Sequence, residues 1–256
     1  MQLKKHIPNA ITSLNLVSGC IGILLAFRGY VEIAALMIVV ASVFDFLDGM
    51  AARLLHVHSE IGKELDSLAD LVSFGVLPGA LVFMMLENNS APIWIQCFAL
   101  LIPVLSAIRL AKFNLDTRQT ESFLGVPVPA NALFWVGITF INAPIPKNNI
   151  NCLNGFLPTD VMNHINIGLK SIVNQPSIII ILTVVLSLLL VSELPLFSLK
   201  FKNLKWAKNH TRYIFLGLAL ISLIMLGVCS LPMIIVLYLL ISTFVDLQMT
   251  KNAEKL

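Results

Sequence analysis

The chain has 256 residues, of which 57% are hydrophobic and only 12% charged, with a mean hydropathy of +0.88. Soluble domains carry roughly 25% charged residues, so a water-soluble globule is excluded, and long apolar runs exclude disorder, collagen and coiled coil. At about 20 apolar residues per crossing, the chain has room for seven or eight membrane spans and little else.

Hydropathy predicts eight transmembrane helices, in chain order Ala10 to Phe27, Val31 to Leu54, Ser67 to Leu86, Ala91 to Lys112, Val126 to Ile141, Ser177 to Leu194, Tyr213 to Cys229 and Pro232 to Leu247. The expected fold is an all-α polytopic membrane helix bundle forming a single domain over residues 1–256. With the Lys4-Lys5 end cytoplasmic, 14 of the 17 basic residues, including the Lys200 to Arg212 cluster, fall on one side. Only Arg28, Lys147 and Lys170 fall on the other, which satisfies the positive-inside rule and places both termini in the cytoplasm. An odd miscount before the Lys200 to Arg212 cluster would have put it outside. Residues 142–176, rich in Asn and Pro, form the longest connection; they are expected as an outer loop with an interfacial helix between Thr159 and Val173, without chemistry.

Lys4, Lys5 and the run ending Val17-Ser18-Gly19-Cys20 look superficially like a lipoprotein signal. A cut there would discard Pro8, Asn9 and Thr12, leave an odd number of spans and reverse the charge asymmetry. The four cysteines Cys20, Cys97, Cys152 and Cys229 are too scattered for a disulfide framework or a zinc pattern. His56 and His58 lack a Cys partner and are expected as solvated loop residues.

Four acidic residues stand out about the second and third spans: Asp45, Asp48, Asp66 and Asp70. Each charge at the bilayer centre costs about 2.5 to 3.5 kcal/mol on insertion scales, so an intramembrane acid marks a functional site by default. Asp45 and Asp48 are spaced i, i+3, and Asp66 and Asp70 i, i+4, so each pair occupies one helix face. The connection between the helices is short enough to return the chain antiparallel, which brings both pairs to the cytoplasmic end. Four facing carboxylates would repel by several kcal/mol per close pair or stay protonated. Arg53 and Lys63 are too few to neutralise them, so one or two divalent cations, Mg2+ or Mn2+, are the economical counter-charge for an all-oxygen donor set. The small residues Gly49, Ala52 and Gly62 would either pack helices closely or leave clearance for a bulky diphosphate.

The pattern Asp45-x2-Asp48-Gly49-x2-Ala52-Arg53-x8-Gly62-x3-Asp66-x3-Asp70 resembles the signature of the CDP-alcohol phosphatidyltransferases, with every fixed position and gap present over residues 45–70. The resemblance implies that Asp45, Asp48 and Asp66 hold two divalent metals that bind the diphosphate of a CDP-linked lipid. It implies that Asp70 helps bind metal and acts as the catalytic base on the incoming alcohol. Such a base is chemically required, because an alcohol is a weak nucleophile until its proton is taken. Three further stretches, 66–75, 106–114 and 123–130, with the opening Pro8-Asn9-Ala10-Ile11-Thr12, resemble the bacterial and archaeal branch of the family that uses serine. The expected substrates are CDP-diacylglycerol and L-serine in a bacterial or archaeal cell membrane, with membrane lipid as surroundings and no nucleic-acid partner. A homodimer is implied by the resemblance alone. Leu77-Pro78-Gly79, where a small residue is expected before the proline, departs from the pattern and touches acceptor choice rather than chemistry.

Arg109 and Lys112 near the end of the fourth span would either snorkel or offer positive charge to a carboxylate or phosphate. Ser73 would face the acceptor or bond its own backbone; Asn9 and Thr12 would cap the first helix or approach the cytidine. Two rivals are a phosphorylated acceptor, glycerol 3-phosphate or inositol phosphate, and a divalent-cation transporter. The first would need more bases near the site than Arg53 and Lys63, and the second acids along a midplane path with interrupted helices in matching halves.

Overall fold

The computed structural model describes residues 2–57, 59–115, 122–143, 167–197 and 206–253. Within them the fold is a helix bundle with one short β pair. Helix α1 (Gln2–Phe27) turns through Arg28–Tyr30 into α2 (Val31–Leu54). Gly29 makes that turn possible at φ +83, a left-handed conformation that a side chain would strain. Helix α3 (Glu60–Asn88) follows a five-residue connection, and its N-terminus is capped by Ser59, whose Oγ accepts from the Gly62 N–H at 3.3 Å. Helix α4 (Ile93–Leu115) returns antiparallel to α3. The end of α2, the start of α3 and the end of α4 therefore share the end of the bundle that holds the N-terminal half of α1.

Inside α3, residues Leu71–Val76 form a π-helical turn directly after Asp70, a local widening of a kind that recurs at functional sites. Small residues set the helix spacing around it. A Cβ on Gly19 of α1 would lie 2.9 Å from Ser73 Cα, and one on Gly75 would lie 3.1 Å from Ser106 Cβ of α4. The backbones thus approach as closely as small residues permit in a membrane bundle.

Helix α5 (Val128–Asn142) is the most enclosed element, with Trp135, Ala132 and Val136 fully buried. It is entered from β1 (Ser122–Leu124), which pairs antiparallel with β2 (Pro195–Phe197) in the register Ser122 to Phe197. Gly125, at φ +75, carries the chain from β1 to α5, its position facing the carbonyl oxygens of Leu190 and Ser192. Helix α6 (Ile167–Val173) meets α7 (Pro176–Val191) at a bend of 75°. It lies within the stretch 159–173 expected to be helical; the rest of the long connection, 144–166, lies outside the described residues, as do His58, Arg118 and Cys152. Helices α8 (Trp206–Leu226) and α9 (Leu231–Ala253) are separated by a 3-10 turn at Gly227–Ser230.

Large apolar side chains such as Leu24, Phe46, Leu188, Leu220 and Leu240 face outward, as they must where the surrounding solvent is lipid. Five described stretches are long and apolar enough to cross a bilayer, or six if the bent α6–α7 pair is one span. The difference from the expected eight has a physical source. Asn209–Phe244 forms one 36-residue apolar stretch despite the break at Gly227–Ser230, and the 15 residues of α5 are too few to span about 30 Å unaided. The described cysteines Cys20, Cys97 and Cys229 are free.

Candidate active site

The turn between α2 and α3 brings the two acidic pairs together as their spacing predicts. Asp45, Asp48 and Asp66 each present a carboxylate oxygen such that the three atoms lie within 4.8 Å of one another. Asp70, one turn deeper on α3, is buried, and the charges of Asp45, Asp66 and Asp48 act on it. Helix α1 supplies the polar partners. Thr12 Oγ1 is 2.6 Å from Asp48 Oδ2 and 3.0 Å from the Pro8 carbonyl oxygen, so one hydroxyl proton serves either acceptor. Asn15 Nδ2 donates to Asp70 Oδ1 at 3.0 Å. Asp66 Oδ1 is enclosed and has no hydrogen-bond partner among the described residues.

This donor set fits a hard divalent cation. In an octahedral shell with oxygens at about 2.1 Å, neighbouring ligand atoms are about 3.0 Å apart and opposite ones about 4.2 Å, so the Asp45–Asp48–Asp66 triad needs only a small contraction. The orphaned Asp66 oxygen is the kind of group that a cation satisfies. His and Cys are absent from the triad, which argues against zinc.

Beside the acids opens a cavity of about 230 Å³ lined by residues of α1, α2, the turn and α3. Asn9, Thr12, Asp48, Gly49, Ala52, Gly62 and Asp66 of the sequence-predicted set lie on its wall. Gly49 faces open space, whereas a Cβ on Gly62 would come 2.8 Å from Asn9 Oδ1. The absence of a side chain at Gly62 is thus what lets the Asn9 amide reach the cavity from α1.

The other named residues lie as follows. Asn9 and Thr12 do not cap the first helix, because α1 begins at Gln2 and both lie in its interior. Arg53 and Lys112 are exposed, and neither lines the cavity. Ser73 is buried and its Oγ donates to Ala69 O at 2.8 Å, so its proton is committed to its own helix turn. Arg109 is buried rather than snorkelling, with its guanidinium carbon 5.4 Å from the centre of the Phe113 ring. The contacts of Asn114 with Ser67 and of Ser106 with Gly75 fix the α3–α4 register. They put Arg109 at the depth of Val72, within a turn of Asp70. His56 is exposed, as expected of a solvated loop residue.

Sequence reasoning missed Asn15 and undervalued Lys63. Lys63 shares the cavity wall, and its Nζ donates to the Asn114 carbonyl at 3.0 Å. Asn15 was findable, since it stands three residues after Thr12 and so shares its helix face.

The profile of the family described as CDP-alcohol phosphatidyltransferase matches residues 5–188, more than half of the chain. The chain belongs to the CDP-alcohol phosphatidyltransferase family. Among curated proteins it is similar to the CDP-diacylglycerol–serine O-phosphatidyltransferase of Bacillus subtilis, at 37% identity over 55% of this chain and 78% of that one. The protein of the same name from Methanocaldococcus jannaschii is 36% identical over 59% of this chain and 69% of that one. The one from Helicobacter pylori strain J99 is 37% identical over 50% and 55%. This member of the family is an integral membrane phosphatidyltransferase, and its acid cluster lies within the matched region.

Proposed function

We propose that the enzyme transfers the phosphatidyl group of CDP-diacylglycerol to L-serine, yielding phosphatidylserine and CMP. The observation that carries this reading is the convergence of Asp45, Asp48 and Asp66 beside a cavity that opens between α1, α2 and α3. Asp45, Asp48, Asp66 and Asp70 would hold two divalent cations, Mg2+ or Mn2+. When bound, these supply positive charge that neutralises the diphosphate and stabilises the departing phosphate oxygen of CMP.

The residues of the chain do the rest. Asn9, Thr12, Gly49, Ala52, Gly62 and Lys63 shape the wall that receives the cytidine diphosphate, with Lys63 adding charge for a phosphate oxygen. Asp70 takes the proton of the serine hydroxyl as its oxygen attacks the phosphorus that bears the diacylglycerol. The bond from that phosphorus to the CMP oxygen breaks. The site lies at helix ends, so the acyl chains stay in lipid while nucleotide and amino acid enter from water.

An unphosphorylated acceptor is supported by two findings. The curated relatives carry a serine transferase name, and of the bases near the acids Arg53 is exposed away from the cavity, leaving Lys63 on its wall and the buried Arg109 near Asp70. The α1 start, the α2–α3 turn and the α4 end face the cytoplasm in this reading, with both termini on that side, and two copies form a homodimer. Purified enzyme with CDP-diacylglycerol and Mn2+ releases CMP on addition of serine and not of glycerol 3-phosphate or inositol phosphate; the opposite preference overturns the acceptor assignment.

A further inference from the structure

The roles given above leave the buried Asn15, which bonds Asp70 directly, without a task. Asn15 is fully enclosed at 0% exposure. Its Nδ2 donates to Asp70 Oδ1, and because a carboxylate accepts, the amide must present its nitrogen there. Its own Oδ1 is thereby turned away from Asp70, and it has no hydrogen-bond partner among the described residues. An enclosed carbonyl oxygen left unpaired costs about 1 to 3 kcal/mol, which a donor arriving with a ligand would recover.

We infer that Asn15 reads the amino group of the acceptor. This inference rests on the serine reading above and deepens it. Asn15 Oδ1 accepts an N–H from the ammonium next to the attacking hydroxyl, and Nδ2 steadies the Asp70 carboxylate that takes the hydroxyl proton. The dimensions agree. Amide oxygen and nitrogen are about 2.3 Å apart by ordinary bond lengths, and Nδ2 is 3.0 Å from Asp70, so Oδ1 and the carboxylate lie within about 5 Å of each other. A 1,2-amino alcohol holds its oxygen and nitrogen roughly 3 to 4 Å apart in staggered rotamers. One such molecule can donate its hydroxyl proton to Asp70 and an ammonium proton to Asn15 together. The acceptor class so defined is a small 1,2-amino alcohol, and an alcohol lacking the nitrogen leaves Oδ1 unpaired.

The test uses the full chain purified in detergent with CDP-diacylglycerol and Mn2+. CMP release is measured with L-serine and with 3-hydroxypropionate, which keeps the hydroxyl and carboxylate but lacks the amine. Wild type is expected to prefer serine by at least roughly a hundredfold in kcat/KM. Asn15→Leu, nearly isosteric, is expected to lower kcat/KM for serine about a hundredfold but for 3-hydroxypropionate less than about tenfold, so the preference collapses. KM for CDP-diacylglycerol stays unchanged. The thermal shift produced by Mn2+ alone is retained, which separates acceptor reading from a structural role. Asn15→Ala, smaller and easier to accommodate, repeats the measurement. A preference for serine that survives in a variant with an intact Mn2+ shift overturns the inference, as does loss of that shift in both variants. Wild type that releases CMP with another acceptor and not with serine overturns the serine reading itself, and this inference with it.

Discussion

The contact between Thr12 and Asp48 gives the most direct test of how α1 supports the acid cluster. Thr12→Val keeps shape and removes the hydroxyl that stands 2.6 Å from Asp48 Oδ2. Thr12 is 3% exposed, and both partners lie on the cavity wall. A hydrogen bond to a charged group contributes about 1.5 to 3 kcal/mol, and groups that orient metal ligands are worth roughly 10- to 100-fold in metal affinity. The lower part of that range applies, because the Thr12 proton is shared with the Pro8 carbonyl at 3.0 Å. The expected result is an apparent Mn2+ constant raised roughly tenfold in both the activity titration and the metal-induced thermal shift. Turnover at saturating Mn2+ should fall by less than threefold or so, about 0.6 kcal/mol. An Mn2+ constant within twofold or so of wild type would refute the claim that α1 orients Asp48.

Three further outcomes are expected. Asp70→Asn abolishes CMP release while Mn2+ binding partly survives, because the base is lost and the Asp45–Asp48–Asp66 triad is intact; Asp66→Asn loses both, and either variant matching wild type contradicts the assigned roles. Gly62→Val pushes a side chain toward Asn9 Oδ1, where even a Cβ would sit at 2.8 Å. It should raise KM for CDP-diacylglycerol about tenfold or more in steady-state assays with little change in melting temperature, since the α3 cap at Ser59 persists. Gly125→Ala combines φ +75 with a Cβ 2.6 Å from the Leu190 carbonyl oxygen and 2.7 Å from that of Ser192. It should destabilise the detergent-solubilised protein by about 1 to 3 kcal/mol in a thermal melt, with Mn2+ affinity unchanged because the turn is remote from the acids.

The acid cluster was legible in the sequence because helical periodicity converts spacing into geometry. The i, i+3 and i, i+4 pairs and a short turn leave few ways to avoid meeting at one end of two antiparallel helices. The contribution of α1 was less legible. Thr12 and Asn15 are ordinary polar residues in a helix, and only the packing of α1 against α2 and α3 shows that they bond Asp48 and Asp70 across 36 and 55 residues of sequence. Arg109 illustrates a different gap. Hydropathy places it near a helix end and suggests snorkelling, whereas the register of α4 on α3 buries it beside the π turn. The described residues give five or six stretches long and apolar enough to span against the expected eight, and the difference lies at the short α5 and at the Gly227–Ser230 break within one apolar run.

The position of the π turn bears on why the cluster is built this way. The π turn spans Leu71–Val76, and within it Ser73 and Gly75 make the close approaches to Gly19 of α1 and Ser106 of α4 that small residues allow. That approach delivers Asn15 to Asp70 from one side and Arg109 to the same depth from the other. Three of the four acids belong to a cavity-side cluster with a neighbouring wall of small residues, while Asp70 sits one turn inward, held by an amide. A single helix thus carries Asp66, a member of the carboxylate triad, and Asp70, one turn deeper and bonded to Asn15, so the two acids differ in depth. In the proposed reaction the outer carboxylate would serve the diphosphate and the inner one would take the proton of the acceptor alcohol.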